Sequence, residues 1–279
     1  MNSHATRERL RRSRGFVFDV DGTLALADRH LNGYQPLPGA LQTLALLNQR
    51  GTPFVTFTNG STKTPLQLAH ALAKAGFDVD TDRTLTPLSV AVTGFRRKGH
   101  RRVLVLGVEG VWRPLVEAGF DIVRSPARTD DADAVLIGWH PQFGLADLDA
   151  ACRAVWGGAA LYTVSSAATL ASREGRTLGI SGALSAAVRS VTGKRSIVVG
   201  KPSMSALKVA CEHLGAVPAD IAVVGDDPTL ENAMALRGGA LSVGVHTGLS
   251  GAEDFAALPE GRRPHLSLPG VHALLELLR

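Results

Sequence analysis

The chain has 279 residues, 45% hydrophobic and 20% charged, which suits one large core or two domains and excludes a wholly disordered chain. Its formal net charge of +5 would suggest nucleic acid or a membrane surface only if the charge were spread over a folded face. Residues 1–14 carry Arg7, Arg9, Arg11, Arg12 and Arg14 against Glu8, a net of +4, so this segment reads as a basic flexible arm on a nearly neutral body. No aromatic residue interleaves those arginines for base stacking, and neither nucleic acid nor a membrane is expected as a partner.

Past the arm, residues 16–20 form the first strand-like apolar run, and it ends in Asp19 and Asp21 before a turn at Gly22. A helical stretch at 39–49 leads to a second strand at 53–58, closed by Thr58-Asn59-Gly60-Ser61, and to a helix at 65–75. Strands at 103–107, 134–138 and 160–164, with a helix at 147–155, end in nothing obviously reactive. The strand at 197–200 delivers Lys201 ahead of a helix at 203–214, and the strand at 221–225 delivers Asp226 and Asp227 ahead of a helix at 230–236; a strand at 241–245 follows. Such alternation predicts parallel sheets with helices on both faces, and ligands bind such sheets at the carboxyl ends of the strands.

The four reactive strand ends lie near the two ends of the chain. The expected organisation is a core built from 15–83 plus 179–279, with residues 84–178 inserted as a second domain over the site.

Two carboxylates separated by one residue at a strand end can face one pocket, and a carboxylate attacks a dianionic phosphate only with a cation screening the repulsion. Asp19 is the candidate nucleophile and Asp21 the candidate acid and base. A calcium loop is excluded, because the regular oxygen ligands and the glutamate at its twelfth position are missing. Thr58, Asn59 and Gly60 suit a phosphate-binding turn, and the Lys201 ammonium suits charge neutralisation. A nucleotide P-loop is excluded, since Arg195 stands where its first glycine belongs and Pro202 follows the lysine. Asp226 is a hard-oxygen metal ligand. Asp227 and Glu231 either hold metal-bound water or, for Asp227 with Thr229, cap a helix.

Cys152 and Cys211 are too few for a disulfide framework and read as core residues of a cytoplasmic protein. No stretch reaches the ~20 apolar residues of a membrane span.

In order, Asp19-Val20-Asp21-Gly22-Thr23, Thr58-Asn59-Gly60, Lys201-Pro202 and Gly225-Asp226-Asp227 resemble the four motifs of the haloacid dehalogenase (HAD) superfamily. The insertion and the run Thr58-Asn59-Gly60-Ser61-Thr62-Lys63-Thr64 resemble subfamily IIA, the NagD-like and p-nitrophenyl phosphatase-like group. The resemblance implies an α/β fold, a Rossmann-like core with a C2-type α/β cap. It also implies a Mg²⁺-dependent phosphatase acting on a small phosphorylated metabolite through an aspartyl-phosphate on Asp19. Mg²⁺ would be held by Asp19, Asp226 and the backbone carbonyl of Asp21, and a homodimer would form through the cap.

Dehalogenases lack an Asp at the position of Asp21. The chain departs from the family pattern at Glu231, where an Asp is usual, and at Ser165-Ser166-Ala167-Ala168, where relatives carry Asn-x-Asp. Phosphoryl transfer, and a catalytically weakened binding protein, are the alternatives. Specificity is expected from Trp139, His140, Arg173, Glu174 and Arg176, each of which also reads as packing, turn or solvated loop.

Overall fold

A computed structural model describes residues 3–279. Six strands form a parallel sheet in the order Leu266–Leu268, Leu241–Val245, Ile221–Gly225, Gly15–Phe18, Phe54–Phe57, Thr84–Leu85. Gly15–Phe18 is central, with Val17 in register with Val223 on one side and Val55 on the other. The chain leaves this strand toward one edge early and fills the other edge late, so the switch point of the sheet lies at its carboxyl end, where Asp19 follows.

A second parallel sheet runs Ile197–Val198, Ala160–Thr163, Ala134–Ile137, Arg102–Leu106, Asp121–Arg124. The strands therefore divide differently from the expected 84 and 178. Thr84–Leu85 pairs with Phe54–Phe57 in the first sheet, whereas Ile197–Val198 pairs with Ala160–Thr163 in the second. The reason at the far boundary is continued pairing and burial: Val199 and Gly200 donate to Thr163 and Val164 carbonyls at 3.0 and 3.1 Å. The helix Ile180–Thr192 also buries Val188 with Leu104, Ile137 and Leu161. One buried cluster spans both sheets, joining Val17, Val55 and Phe57 to Val103, Val105 and Leu136.

Local signals explain several boundaries. Thr64 and Gln67 exchange capping bonds ahead of the helix Pro65–Lys74, and Pro65 opens it. Ser203 caps the helix Met204–Leu214 through Ala206 N–H, and Gly215 ends it in the left-handed conformation.

The basic segment is not a flexible arm over its described residues. Ser3–Arg11 is a helix packed on the last helix, Val271–Leu278. Leu10 is fully buried beside Phe16 and Leu274, Arg9 donates to the Gly239 carbonyl at 2.8 Å and Arg11 to the Leu277 carbonyl at 3.1 Å. A helix this short is marginal alone; its docking is what holds it. No helix among the described residues is long and apolar enough to cross a membrane.

Candidate active site

Asp19 leaves the central strand with its N–H bonded to the Val224 carbonyl at 2.9 Å, which fixes it between two strand ends. It is 5% exposed. One carboxylate oxygen, Oδ1, pairs with Lys201 Nζ, while Oδ2 is buried without a protein partner. Burial raises its pKa, against the pull of Lys201. Two residues on, Asp21 Oδ2 accepts from the Thr58 hydroxyl at 2.7 Å and Oδ1 is buried and unpartnered; burial raises this pKa also.

Gly22 allows this turn. Its φ is +97°, and a Cβ there would lie 2.6 Å from Asp226 Oδ2.

Lys201 is 1% exposed. Besides Asp19, its ammonium donates to the Phe57 carbonyl at 2.6 Å and pairs with Glu231 Oε1 at 2.7 Å. Burial alone would disfavour its charge, but Asp19 and Glu231 outweigh that and hold its pKa above the usual lysine value. Its three protons are thus directed at protein oxygens.

Asp226 is buried, with Oδ2 accepting from Leu249 N–H at 3.3 Å. Burial, then the nearby Asp19, Glu231 and Asp227, pushes its pKa well above the carboxylate range. Asp227 instead caps the turn after the strand, accepting from Thr229 N–H at 2.6 Å and Thr229 Oγ1 at 2.7 Å.

Glu231 is drawn inward by the π-helical turn Pro228–Asn232, and Gly225 makes room for it, since a Cβ there would overlap its side chain. With Oε1 on Lys201 and Oε2 accepting from Asp227 N–H at 3.3 Å, Glu231 is a partner of the lysine. Burial pushes its pKa up to about 7 against the effect of Lys201.

Thr58, Asn59 and Gly60 all line the same cavity, where the Thr58 hydroxyl, the Asn59 side-chain amide and the Gly60 N–H bond to protein groups. Thr58 Oγ1 accepts from Gly60 N–H at 2.8 Å while donating to Asp21. Asn59 Oδ1 accepts from Lys201 N–H at 2.8 Å, and its Nδ2 donates to the Lys201 carbonyl at 2.9 Å and to Ser165 Oγ at 3.3 Å. The amide thereby braces the lysine backbone. A Cβ on Gly200 would overlap Asn59, so this brace needs that glycine.

Of the five expected specificity residues, only Trp139 lines the cavity; its N–H donates to Ser61 Oγ at 3.0 Å. His140 Nε2 is 3.2 Å from Asp147 Oδ1. Arg173, at the tip of the hairpin formed by Thr169–Ser172 and Gly175–Leu178, donates to the Gly33 carbonyl at 3.0 Å. Glu174 accepts from Ser172 Oγ at 3.2 Å, and Arg176 is exposed on the hairpin.

The wall residues that sequence reasoning missed include Leu31, Leu170, Ile180, Ser181 and Leu249, and Ser165 of the segment that departs from the family pattern also lines it. Leu31 has φ +60°. Its loop is held by Asp28 Oδ1, which accepts from His30 and Asn32 N–H at 2.8 and 2.9 Å, and Lys63 donates to the Leu31 carbonyl.

A divalent cation fits the donor chemistry here. Asp19 Oδ2 has no protein partner, Asp226 is held against Gly22 and Gly248, and Asp19, Asp21, Asp226, Asp227 and Glu231 line the cavity with Lys201 as its one cationic side chain. Among the described residues no three His, Cys, Asp or Glu side chains form a ready ligand set, so an ion would need carbonyl and water ligands as well, the habit of Mg²⁺.

Residues 16–121 match the model of haloacid dehalogenase-like hydrolases, and residues 198–274 match a HAD-hydrolase-like model. The chain belongs to the haloacid dehalogenase-like hydrolases. This HAD-like hydrolase is 29% identical to chronophin of Mus musculus over 285 residues, covering 98% of the chain and 95% of the mouse protein. A solved structure of p-nitrophenyl phosphatase from Archaeoglobus fulgidus superposes with a TM-score of 0.83 at 25% identity, covering 95% of the chain and 98% of its own. Glycerol phosphate phosphatase from Mycobacterium tuberculosis, solved in complex with magnesium, gives a TM-score of 0.83 at 26% identity, covering 97% of the chain and 78% of its own.

Proposed function

We propose that this phosphomonoesterase hydrolyses a small phosphorylated metabolite through an aspartyl-phosphate on Asp19, with Mg²⁺ as cofactor. The observation that carries the reading is the pair of unpartnered carboxylate oxygens, Asp19 Oδ2 and Asp21 Oδ1, in one cavity beside Lys201. Asp19 attacks phosphorus as the ester bond breaks, and Asp21 gives its proton to the departing alkoxide. Asp21 then takes a proton from the water that cleaves the aspartyl-phosphate, which frees inorganic phosphate and restores Asp19.

Lys201 acts by charge, since its protons are committed to Asp19, Phe57 and Glu231. Thr58 orients Asp21, and Asn59 keeps Lys201 in place. The side chains of Asp19 and Asp226 and the Asp21 carbonyl would hold Mg²⁺. When bound, Mg²⁺ screens the phosphate charge from the attacking carboxylate.

The relative solved with magnesium and the phosphatases among the similar proteins support this reading. The five-stranded sheet, with the helix Ile180–Thr192 and the hairpin of Thr169–Ser172 and Gly175–Leu178, serves as a cap, with Trp139, Leu170 and Ile180 lining the cavity that holds Asp19. We assign the enzyme to the cytoplasm on its two buried free thiols, Cys152 and Cys211.

The test is Asp19→Asn. Mg²⁺-dependent release of phosphate from p-nitrophenyl phosphate should fall to background, and full activity in the variant would remove Asp19 from the nucleophile's role.

A further inference from the structure

The walls of the cavity differ from its floor. Apart from the catalytic groups, the lining includes Leu31, Trp139, Leu170, Ala171 and Ile180 together with small polar residues, Thr169 and three serines. The serines among them are engaged: Ser181 Oγ donates to the Ser165 carbonyl at 3.2 Å. Ser61 Oγ accepts from Trp139 N–H at 3.0 Å, and Ser165 Oγ accepts from Asn59 Nδ2 and Ala167 N–H at 3.3 and 3.1 Å.

Lys201 is the one cation lining the cavity, against five carboxylates, and it already lies between Asp19 and Glu231. The nearby cations do not line the cavity. Arg173 is bonded to the Gly33 carbonyl, and Lys63 to the Leu31 carbonyl and to Asn32 Oδ1 at 2.9 Å. A second anion on the substrate would therefore lose its hydration against a wall that carries no cationic side chain.

Resting on the phosphatase reading above, we propose that the enzyme takes monophosphate esters whose remaining part is uncharged and packs through a hydrocarbon or aromatic face. Esters carrying a second anion are rejected. Leu31, Trp139, Leu170 and Ile180 supply the face, and the absence of a counter-charge supplies the discrimination.

A matched pair tests this: butyl phosphate and 4-phosphooxybutanoate, which share the ester carbon and differ by a remote carboxylate. With wild-type enzyme and Mg²⁺, kcat/KM for butyl phosphate should exceed that for the carboxylate ester by at least about tenfold. A ratio of one or below overturns the proposal while leaving the phosphatase reading intact. Phosphate release from neither ester nor from p-nitrophenyl phosphate above the Asp19→Asn background would instead sink the phosphatase reading, and this one with it.

Two variants, Ile180→Arg and Leu170→Arg, place a cation in the wall. The ratio is taken within each variant, so a general loss of active protein does not move it. In at least one it should shift toward the carboxylate ester by about tenfold. An unchanged ratio in both overturns the proposal.

Discussion

The two sheets contribute to one cavity in different currencies. From the six-stranded sheet come carboxylates, each with a defined partner: Asp19 with Lys201, the cation delivered by the Ile197–Val198 edge of the other sheet, Asp21 with Thr58, and Asp226 with Leu249 N–H. Apart from that lysine, the five-stranded sheet with its helices and the hairpin at 169–178 contributes surfaces and backbone: the Trp139 backbone N–H on Ser61, the apolar Leu170 and Ile180, and Gly110, whose missing Cβ lets its helix touch the Thr62–Lys63 backbone. A charge buried among charges is sensitive to the loss of any neighbour. A surface built from packing tolerates exchange, and that is where related enzymes can diverge in substrate.

Lys201→Met tests the buried charges most severely. It leaves Asp19 and Glu231 buried without their common cation, so kcat should drop by about 10²–10³-fold, with about 3–5 kcal/mol lost from the denaturant-derived stability. Survival of activity within tenfold of wild type would break the contrast between the two halves. Chelation of divalent ions should likewise abolish turnover, with recovery on adding Mg²⁺ back; turnover that persists in chelator would contradict the assigned ligands.

Asn59→Ala removes the brace on the lysine without touching a charge. A fall of about 10–100-fold in kcat is expected, with KM for p-nitrophenyl phosphate changed far less. An effect on KM alone would mean that Asn59 contacts the phosphate after all.

Gly110→Ala probes the other half. Its Cβ must push the helix from the Thr62–Lys63 backbone, which should cost about 1–3 kcal/mol in stability and raise KM severalfold with kcat nearly kept. Leu10→Ala is the control outside both. Loss of about 2–4 kcal/mol on chemical denaturation, with unchanged kcat/KM, would separate docking of the first helix from catalysis.

The charged half was legible because polar residues that end apolar runs have few structural reasons to be there. Asp19, Asp21, Lys201 and Asp226 all fall at such ends and all meet in space. Glu231 was seen but its bond to Lys201 was not, since that reach goes with a π-helical turn that has no sequence signature. The walls were opaque for a related reason. Leu31, Leu170 and Ile180 are ordinary apolar residues, while Arg173, Glu174 and Arg176 looked functional through charge yet sit on a hairpin facing the rim. Ile197 and Val198 pair with a strand over thirty residues earlier, a choice between two parallel sheets that periodicity does not make. The first helix was hidden because its buried side carries a polar residue, Thr6, and one large apolar residue, Leu10, among arginines.

The position of Lys201 has a mechanical consequence. Val199 and Gly200 are stitched to the edge of the five-stranded sheet through Thr163 and Val164, and Lys201 follows without an intervening linker, gripped by Asn59 from the other sheet. The lever between the two bodies is thus a single peptide long. Any shift of the five-stranded sheet edge that carried Gly200 would carry the ammonium with it, so the seat of the nucleophile's counter-ion is set by the register of a strand in the other sheet.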